Sequence, residues 1–372
     1  MKSSTDNKFY KIIWDLIKYE LSDIHIIEDS DIYVRKNNWS IISLKDTSLD
    51  ADEIYWFLND ILTASEIDNL VKWSEIDVSY ELSWFRFRIN AFRSNKWIRL
   101  ALRKVVSKPQ GMEEIWFSST VKERILSKNS WLILVTWQTW SWKSTSLAAI
   151  INDINENKNA HIITLEDPIE YVFENKKSLI TQREIWKHSH SRTKAIKYSL
   201  RQDPDIIMVW EMRDYETISA VLTLVETWHQ VFSTLHTMDS IQTISRIIDS
   251  SPTNRQKQVA TQLSLALDLI ISQCLIKSKT WKNRVPAREI LINTSWIANN
   301  IRENNLPQMF WILETSMRHW MNTLDQDIAR LVSKWIIDIN NASPYIRNLE
   351  SFKNLLKYYS YSNEWLWFNP ID

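Results

Sequence analysis

Two hydrophobic periods alternate along this chain, and the places where they change mark its elements. Apolar residues spaced three and four apart over residues 10–20 and 51–62 predict amphipathic helices. Between them, Asp23, Ile24, His25, Ile26 and Ile27 read as a strand. From 78 to 103 the period drops to two, so Phe85, Phe87 and Ile89 share one face and Arg86 and Arg88 the other. Residues 107–111 (SKPQG) carry linker chemistry. Beyond them, short β-branched runs at 132–135, 161–165, 205–209 and 230–234 are separated by helical stretches, which predicts a mostly parallel sheet covered on both faces. The apolar stretch 262–275 reads as a helix that buries Cys274, and the chain after 291 reads as helices with an aromatic tail at 358–368. The expected organisation is α/β, with a small domain at 1–105, a linker at 106–111, a core at 112–290 and a C-terminal helical region and tail at 291–372.

Composition narrows the function. The 45 basic and 45 acidic side chains among 372 residues cancel, which argues against a protein that holds nucleic acid by neutralising phosphates. A single cysteine excludes a disulfide scaffold and a four-cysteine zinc site, and fits a reducing compartment. The first twenty residues lack the apolar core of a signal peptide, and no run of eighteen apolar residues occurs later in the chain. These features lead us to expect a cytoplasmic protein.

Glycine is the anomaly. At an average usage of roughly 7 %, about 26 glycines are expected, and the chain has one, Gly111, beside 21 tryptophans. Many of these indoles stand in turn and helix-end contexts: Trp39 after Asn37 and Asn38, Trp281 between Thr280 and Lys282, Trp335 just beyond an amphipathic stretch. Such positions demand the backbone freedom of glycine and offer an indole nothing to pack on. The sequence therefore reads as one in which most tryptophans stand for glycine, as when UGA encodes glycine and is translated as tryptophan. Trp56, inside a helical stretch, is the best candidate for a genuine tryptophan.

With that reading, Thr136, Trp137, Gln138, Thr139, Trp140, Ser141, Trp142, Lys143, Ser144 and Thr145 spell G-x-x-x-x-G-K-S between a strand and a helix, the Walker A phosphate loop for ATP. Its spacing has a physical reason. Successive backbone N–H groups must turn inward around phosphate oxygens without side chains in the way, and the helix N-terminus adds partial positive charge. Lys143 then reaches the β- and γ-phosphates and Ser144 ligates Mg²⁺. Three indoles in that loop would fill the space of the nucleotide.

Ligands in open parallel sheets bind at the carboxyl ends of strands. There the sequence delivers Glu166, Asp167 and Glu170 after one strand, Glu211 after the next, and His236 after a third whose start is preceded by His229. A hydrolytic site needs a carboxylate for water, a carboxylate for the Mg²⁺ shell and a γ-phosphate sensor, and Glu170, Glu211 and His236 fill these roles in that order. His188 and His190 lack a third metal ligand and read as loop residues.

These segments resemble the secretion-ATPase superfamily, and within it the type IV pilus retraction ATPases. TLEDPIE at 164–170 is similar to the family's Asp box, VWEMRD at 209–214 to its Walker B segment and ETWHQVFSTLH at 226–236 to its His box; QREIW at 182–186, RVPAREI at 284–290 and HWMNTLDQ at 319–326 resemble further family segments. At 84, 137, 140, 142, 186, 210, 228 and 320 the family has glycine where this chain has tryptophan. The resemblance implies a PAS-like N-terminal domain joined to a RecA-like ATPase core in a homohexamer, acting without direct nucleic-acid contact at an inner-membrane platform protein on the cytoplasmic face. It also implies water activation by Glu170, the Mg²⁺ shell on Glu211, nucleotide sensing by His229 and His236, and N-terminal-domain arginines Arg88, Arg99 and Arg103 that reach the nucleotide. WIANNIRE at 296–303 resembles the short retraction motif, but Ala298 and Asn300 replace its arginine and leucine. The absence of paired CxxC motifs and of a long extra N-terminal region favours retraction over assembly or type II secretion. A non-hydrolysing scaffold subunit is the alternative if the tryptophans are real.

Overall fold

The alternation in the first hundred residues resolves into a six-stranded antiparallel sheet backed by three helices. The computed structural model describes residues 8–361 apart from 18, 20, 37–39, 73–74, 83–84, 96, 106–107, 129, 138–142, 186, 190, 281–283 and 318–319. Helix α1 (Lys8–Ile17) leads to strands β1 (Leu21–Ile27), β2 (Ile32–Lys36) and β3 (Ile41–Leu44), helices α2 (Ala51–Ile61) and α3 (Ala64–Val71), and strands β4 (Ile76–Leu82), β5 (Phe85–Ser94) and β6 (Trp97–Val105). The sheet order is β3-β2-β1-β6-β5-β4. Both α2 and α3 start with reciprocal capping boxes, Asp50 with Glu53 and Thr63 with Glu66, each of which satisfies two orphan backbone donors. Phe9 of α1 stacks on Phe57 of α2 with ring centroids 3.9 Å apart, and Phe87, Ile89 and Ala91 of β5 complete that core. The opposite face of β5 carries Arg86 and Arg88, as its period predicts.

A division by chain contacts falls between Lys108 and Pro109, and Pro168–Val172 joins the first unit. Glu170 therefore belongs with the N-terminal sheet, although it comes after a strand of the second.

In the second unit, α4 (Ser119–Ser127), β7 (Leu132–Thr136), α5 (Lys143–Asn157), β8 (His161–Glu166), β9 (Leu179–Glu184), α6 (Arg192–Ser199), β10 (Ile206–Val209), α7 (Tyr215–Glu226), β11 (Gln230–Leu235), α8 (Ser240–Asp249), α9 (Gln256–Ala266), β12 (Leu267–Lys277) and β13 (Arg284–Ile292) precede a helical region. Among the described residues its helices are α10 (Ser295–Arg302), α11 (Leu306–Thr315), α12 (Leu324–Ser333), α13 (Ile339–Ala342) and α14 (Leu349–Tyr361). The sheet order is β13-β12-β7-β11-β10-β8-β9, parallel throughout except for the β12–β13 pair. Strands β7, β10 and β11 are buried along their whole length, the mark of a sheet covered on both faces.

The expected helix at 262–275 is corrected: α9 ends at Ala266, and Cys274 lies on β12, though buried as expected. A fully buried strand shows no alternation, so its apolar run is indistinguishable from a buried helix by period. The first helix ends at Ile17 rather than at 20. Leu324, Ile328 and Leu331 of α12 and Phe352 of α14 pack on Cys274, Ile276, Val285 and Ala287, so the C-terminal helices close over the β12–β13 edge.

Candidate functional site

Three neighbouring strands end together. β11 lies between β7 and β10, with Leu235 in register with Thr136 and Ser233 with Val209. The segments that leave these strands therefore share one edge: the phosphate loop after β7, Glu211 after β10, and His236 after β11.

β7 ends at Thr136, whose hydroxyl lies 2.7 Å from that of Ser272 on β12. Trp137 has φ 152°. The loop residues Gln138, Thr139, Trp140, Ser141 and Trp142 lie outside the described residues. α5 begins at Lys143, with Ser144 and Thr145 in its first turn. Ser146, buried, donates its hydroxyl to Gln273 Oε1 at 2.8 Å. The Lys143 ammonium donates to the Trp137 carbonyl at 2.6 Å and lies 3.3 Å from His236 Nδ1.

His236 Nε2 lies 3.5 Å from Glu211 Oε1, and Arg213 Nε donates to Glu211 Oε2 at 2.6 Å. Lysine, imidazole and carboxylate thus form a line across the strand ends. Burial lowers the His236 pKa from its ordinary value and the Lys143 charge lowers it further, while Glu211 pulls the other way. The neutral ring with its proton on Nε2 satisfies both neighbours, accepting from Lys143 and donating to Glu211. Sequence reasoning missed Arg213, although its place two residues beyond Glu211 was the signal.

The other site candidates fall elsewhere. His229 precedes β11, with Nδ1 3.0 Å from the Leu224 carbonyl and 3.1 Å from the Thr227 hydroxyl. At about 3.3 Å per strand residue it stands roughly 20 Å from His236, so the fold does not bring the two together within one chain. Glu170 Oε1 lies 3.7 Å from Arg88 Nη1, and Arg88 Nε donates to both oxygens of Asp77, at 3.1 and 3.0 Å. Arg86, which sequence reading left without a role, donates to the Ile169 carbonyl at 3.0 Å and so fixes the segment that carries Glu170. Arg103 donates to buried Asp23 at 2.8 Å across the β1–β6 register. Arg99 is in register with Phe92 and Ile27. His188 accepts from the Glu184 amide at 3.0 Å, and His190 lies outside the described residues. Among the described residues, no three His, Cys, Asp or Glu side chains are grouped for a metal. Ser144 and Glu211 supply hard oxygen donors of the kind that hold a Mg²⁺ which keeps its waters and phosphates, so the donor set fits that ion without a protein cage.

Several indoles occupy backbone that glycine would choose. After α7, Trp228 has φ 71°, its amide donates to the Val225 carbonyl, and the His229 amide donates to Leu224. After α12, Trp335 has φ 58°, with Trp335 bonded to Val332 and Ile336 to Leu331. Both are Schellman helix ends with the left-handed residue at the glycine position, and the indoles are 84 % and 74 % exposed. Trp116 and Trp320 also have positive φ. Trp56 differs, for it lies within α2 and sets its ring edge-on to Tyr10 at 5.7 Å. Trp39, Trp84, Trp186 and Trp281 lie outside the described residues.

Comparison with known proteins adds a consistent result. The family model for type II/IV secretion system proteins matches residues 78–314. A type IV pilus retraction ATPase, PilT, of Pseudomonas aeruginosa is 38 % identical over 336 residues, 90 % of this chain and 97 % of that protein. A twitching motility protein of Neisseria gonorrhoeae is 42 % identical over 278 residues, 74 % of each chain. The crystal structure of the pilus retraction motor PilT with bound ADP superposes with a TM-score of 0.84 at 35 % identity, covering 93 % of this chain and 98 % of that one.

Proposed function

The chain belongs to the type II/IV secretion system protein family and is an ATPase of its pilus-retraction branch, and from that premise we propose how its residues drive retraction of a type IV pilus. The observation that carries the reading is the line of Lys143, His236 and Glu211 across three adjacent strand ends. Lys143 leaves the Trp137 carbonyl to hold the β- and γ-phosphates, and the first turn of α5 adds its N–H groups and partial charge. Ser144 and Glu211 would hold Mg²⁺, which when bound would supply positive charge against those phosphates. His236, in line between Lys143 and Glu211, senses the γ-phosphate by exchanging its partners. Glu170 orients the water, and Arg88, Arg99 and Arg103 contribute positive charge from the N-terminal sheet. In Arg88 and Arg103 that charge is held in reserve by Asp77 and Asp23.

The working assembly in this reading is a homohexamer at the cytoplasmic face of the membrane, bound through an inner-membrane platform protein. Among the described residues no helix is long and apolar enough to cross a membrane. The phosphate loop carries glycine at 137, 140 and 142. The positive φ of Trp137, Trp228 and Trp335 supports that reading.

If pili still retract in cells whose only copy carries Lys143→Ala, the motor reading is wrong. A second reading, pilus assembly or secretion, draws on the retraction-motif segment, where buried Asn300 donates to the Trp296 carbonyl at 2.8 Å in place of the expected leucine. Deleting the gene separates the two. Cells crowded with non-retracting pili support retraction, and bald cells support assembly.

A further inference from the structure

Behind the His236 turn lie two buried carboxylates, bridged by an arginine that reaches them from the surface, that the hydrolytic machinery does not use. Glu289 on β13 is 1 % exposed and is the register partner of Ser272, whose hydroxyl meets Thr136 at the end of β7. Its Oε1 accepts from the Ser240 amide at 2.8 Å and from the Ser240 hydroxyl. Its Oε2 is buried without a hydrogen-bond donor, and Arg347 Nη1 lies 3.6 Å away. The same guanidinium lies 3.2 Å from Asp239 Oδ2, and Asp239 Oδ1 caps α8 through the Gln242 amide at 2.6 Å. Arg347 Nη2 also donates to the Met238 carbonyl at 3.3 Å. Asp239 is three residues beyond His236. Arg347 comes from the segment between α13 and α14, anchored by its own amide on Asp325 of α12 at 3.1 Å.

A buried carboxylate pair bridged by one cation holds its geometry only while that cation stays, because unpaired buried charge is costly. We propose that Arg347 is a positioning residue for the nucleotide sensor: by bridging Asp239 and Glu289 it fixes the turn that carries His236, so the C-terminal segment acts as a handle on turnover. The inference rests on the ATPase reading. Burial raises the Glu289 carboxyl above the usual range, Asp239 raises it too, and Arg347 and the Ser240 bonds lower it. Loss of the guanidinium therefore favours protonation of Glu289 at higher pH.

The test uses the full-length protein, with the residues at 137, 140 and 142 that native peptide masses establish. Steady-state kinetics are compared for the parent, Arg347→Met, Arg347→Lys and Arg347→Met combined with Glu289→Gln. Expected for Arg347→Met is a kcat about tenfold lower, a KM for ATP within about twofold of the parent, and an acid limb of the kcat–pH profile displaced upward. Arg347→Lys restores most of kcat, and the double variant returns the acid limb to the parent's position. Arg347→Met with parental kcat and an unmoved acid limb overturns the proposal. Hydrogen exchange across 236–243 needs no turnover and quickens about tenfold in Arg347→Met if the turn has lost its tether; unchanged exchange also overturns the proposal. A parent without ATP turnover sinks the ATPase reading instead, and exchange alone then decides the role of Arg347.

Discussion

His236 stays neutral because burial and the Lys143 charge oppose its protonation more than Glu211 favours it. The folded ring binds its proton more weakly than the unfolded one, so its contribution to stability is present above the unfolded value of about 6.5 and is lost as pH falls toward the lowered one. His236→Gln should flatten that decline. Urea midpoints at neutral and mildly acidic pH test this, and an equal acid loss in both proteins counts against it. Lys143→Ala should cut ATP turnover by about 10²–10³-fold, as for removal of one preorganised hydrogen-bond donor at a developing charge, with the melting temperature nearly unchanged. At this scale the strand-end logic was legible: Lys143, Glu211 and His236 come after three runs of β-branched residues, and those runs are neighbours in the sheet. The pairing of Arg103 with Asp23 was not legible, because residues eighty apart meet only through the β1–β6 register, which no local pattern encodes.

Among the elements, the helix ends are the most informative. Trp228 and Trp335 stand at the left-handed residue of Schellman turns, and Asn304 after α10 shows the same bonding with φ 53°. Asparagine accepts that conformation through its short polar side chain, and an indole has no such compensation. A chain with tryptophan at 335 should gain about 1 kcal/mol on Trp335→Gly, since left-handed backbone costs an L residue roughly 1–2 kcal/mol; chemical denaturation measures it. Peptide mass spectrometry of the native protein across 132–143 should show a deficit matching three glycines. Intact tryptophans would instead point to a non-hydrolysing ring subunit. The helix ends themselves were legible because turn chemistry surrounds them. The strand β12 was not, since LDLIISQCLI is buried on both faces with apolar residues on each, and period distinguishes nothing there. Nor was β9, a half-buried strand at the sheet edge that bears Gln182 and Arg183.

For the molecule as a whole, the retraction reading makes the ATPase one sixth of a ring. Sedimentation of the native protein should give a hexamer, and a monomer at micromolar concentration with full turnover would remove the ring from the mechanism. A boundary near the 107–111 linker was legible from the change of period, and the chain divides between Lys108 and Pro109. The return of Pro168–Val172 to the first unit was not, because it depends on Arg86 reaching a carbonyl 83 residues away. The left-handed indoles carry a genetic corollary. If each marks a UGA codon read as glycine, a ribosome using the standard code takes the same triplet as termination. It would release the peptide no later than position 116, before Lys143 is added. A cell with ordinary decoding that acquired this gene would make at most the N-terminal sheet and the start of the core, so the codon confines the motor to lineages that share its dialect.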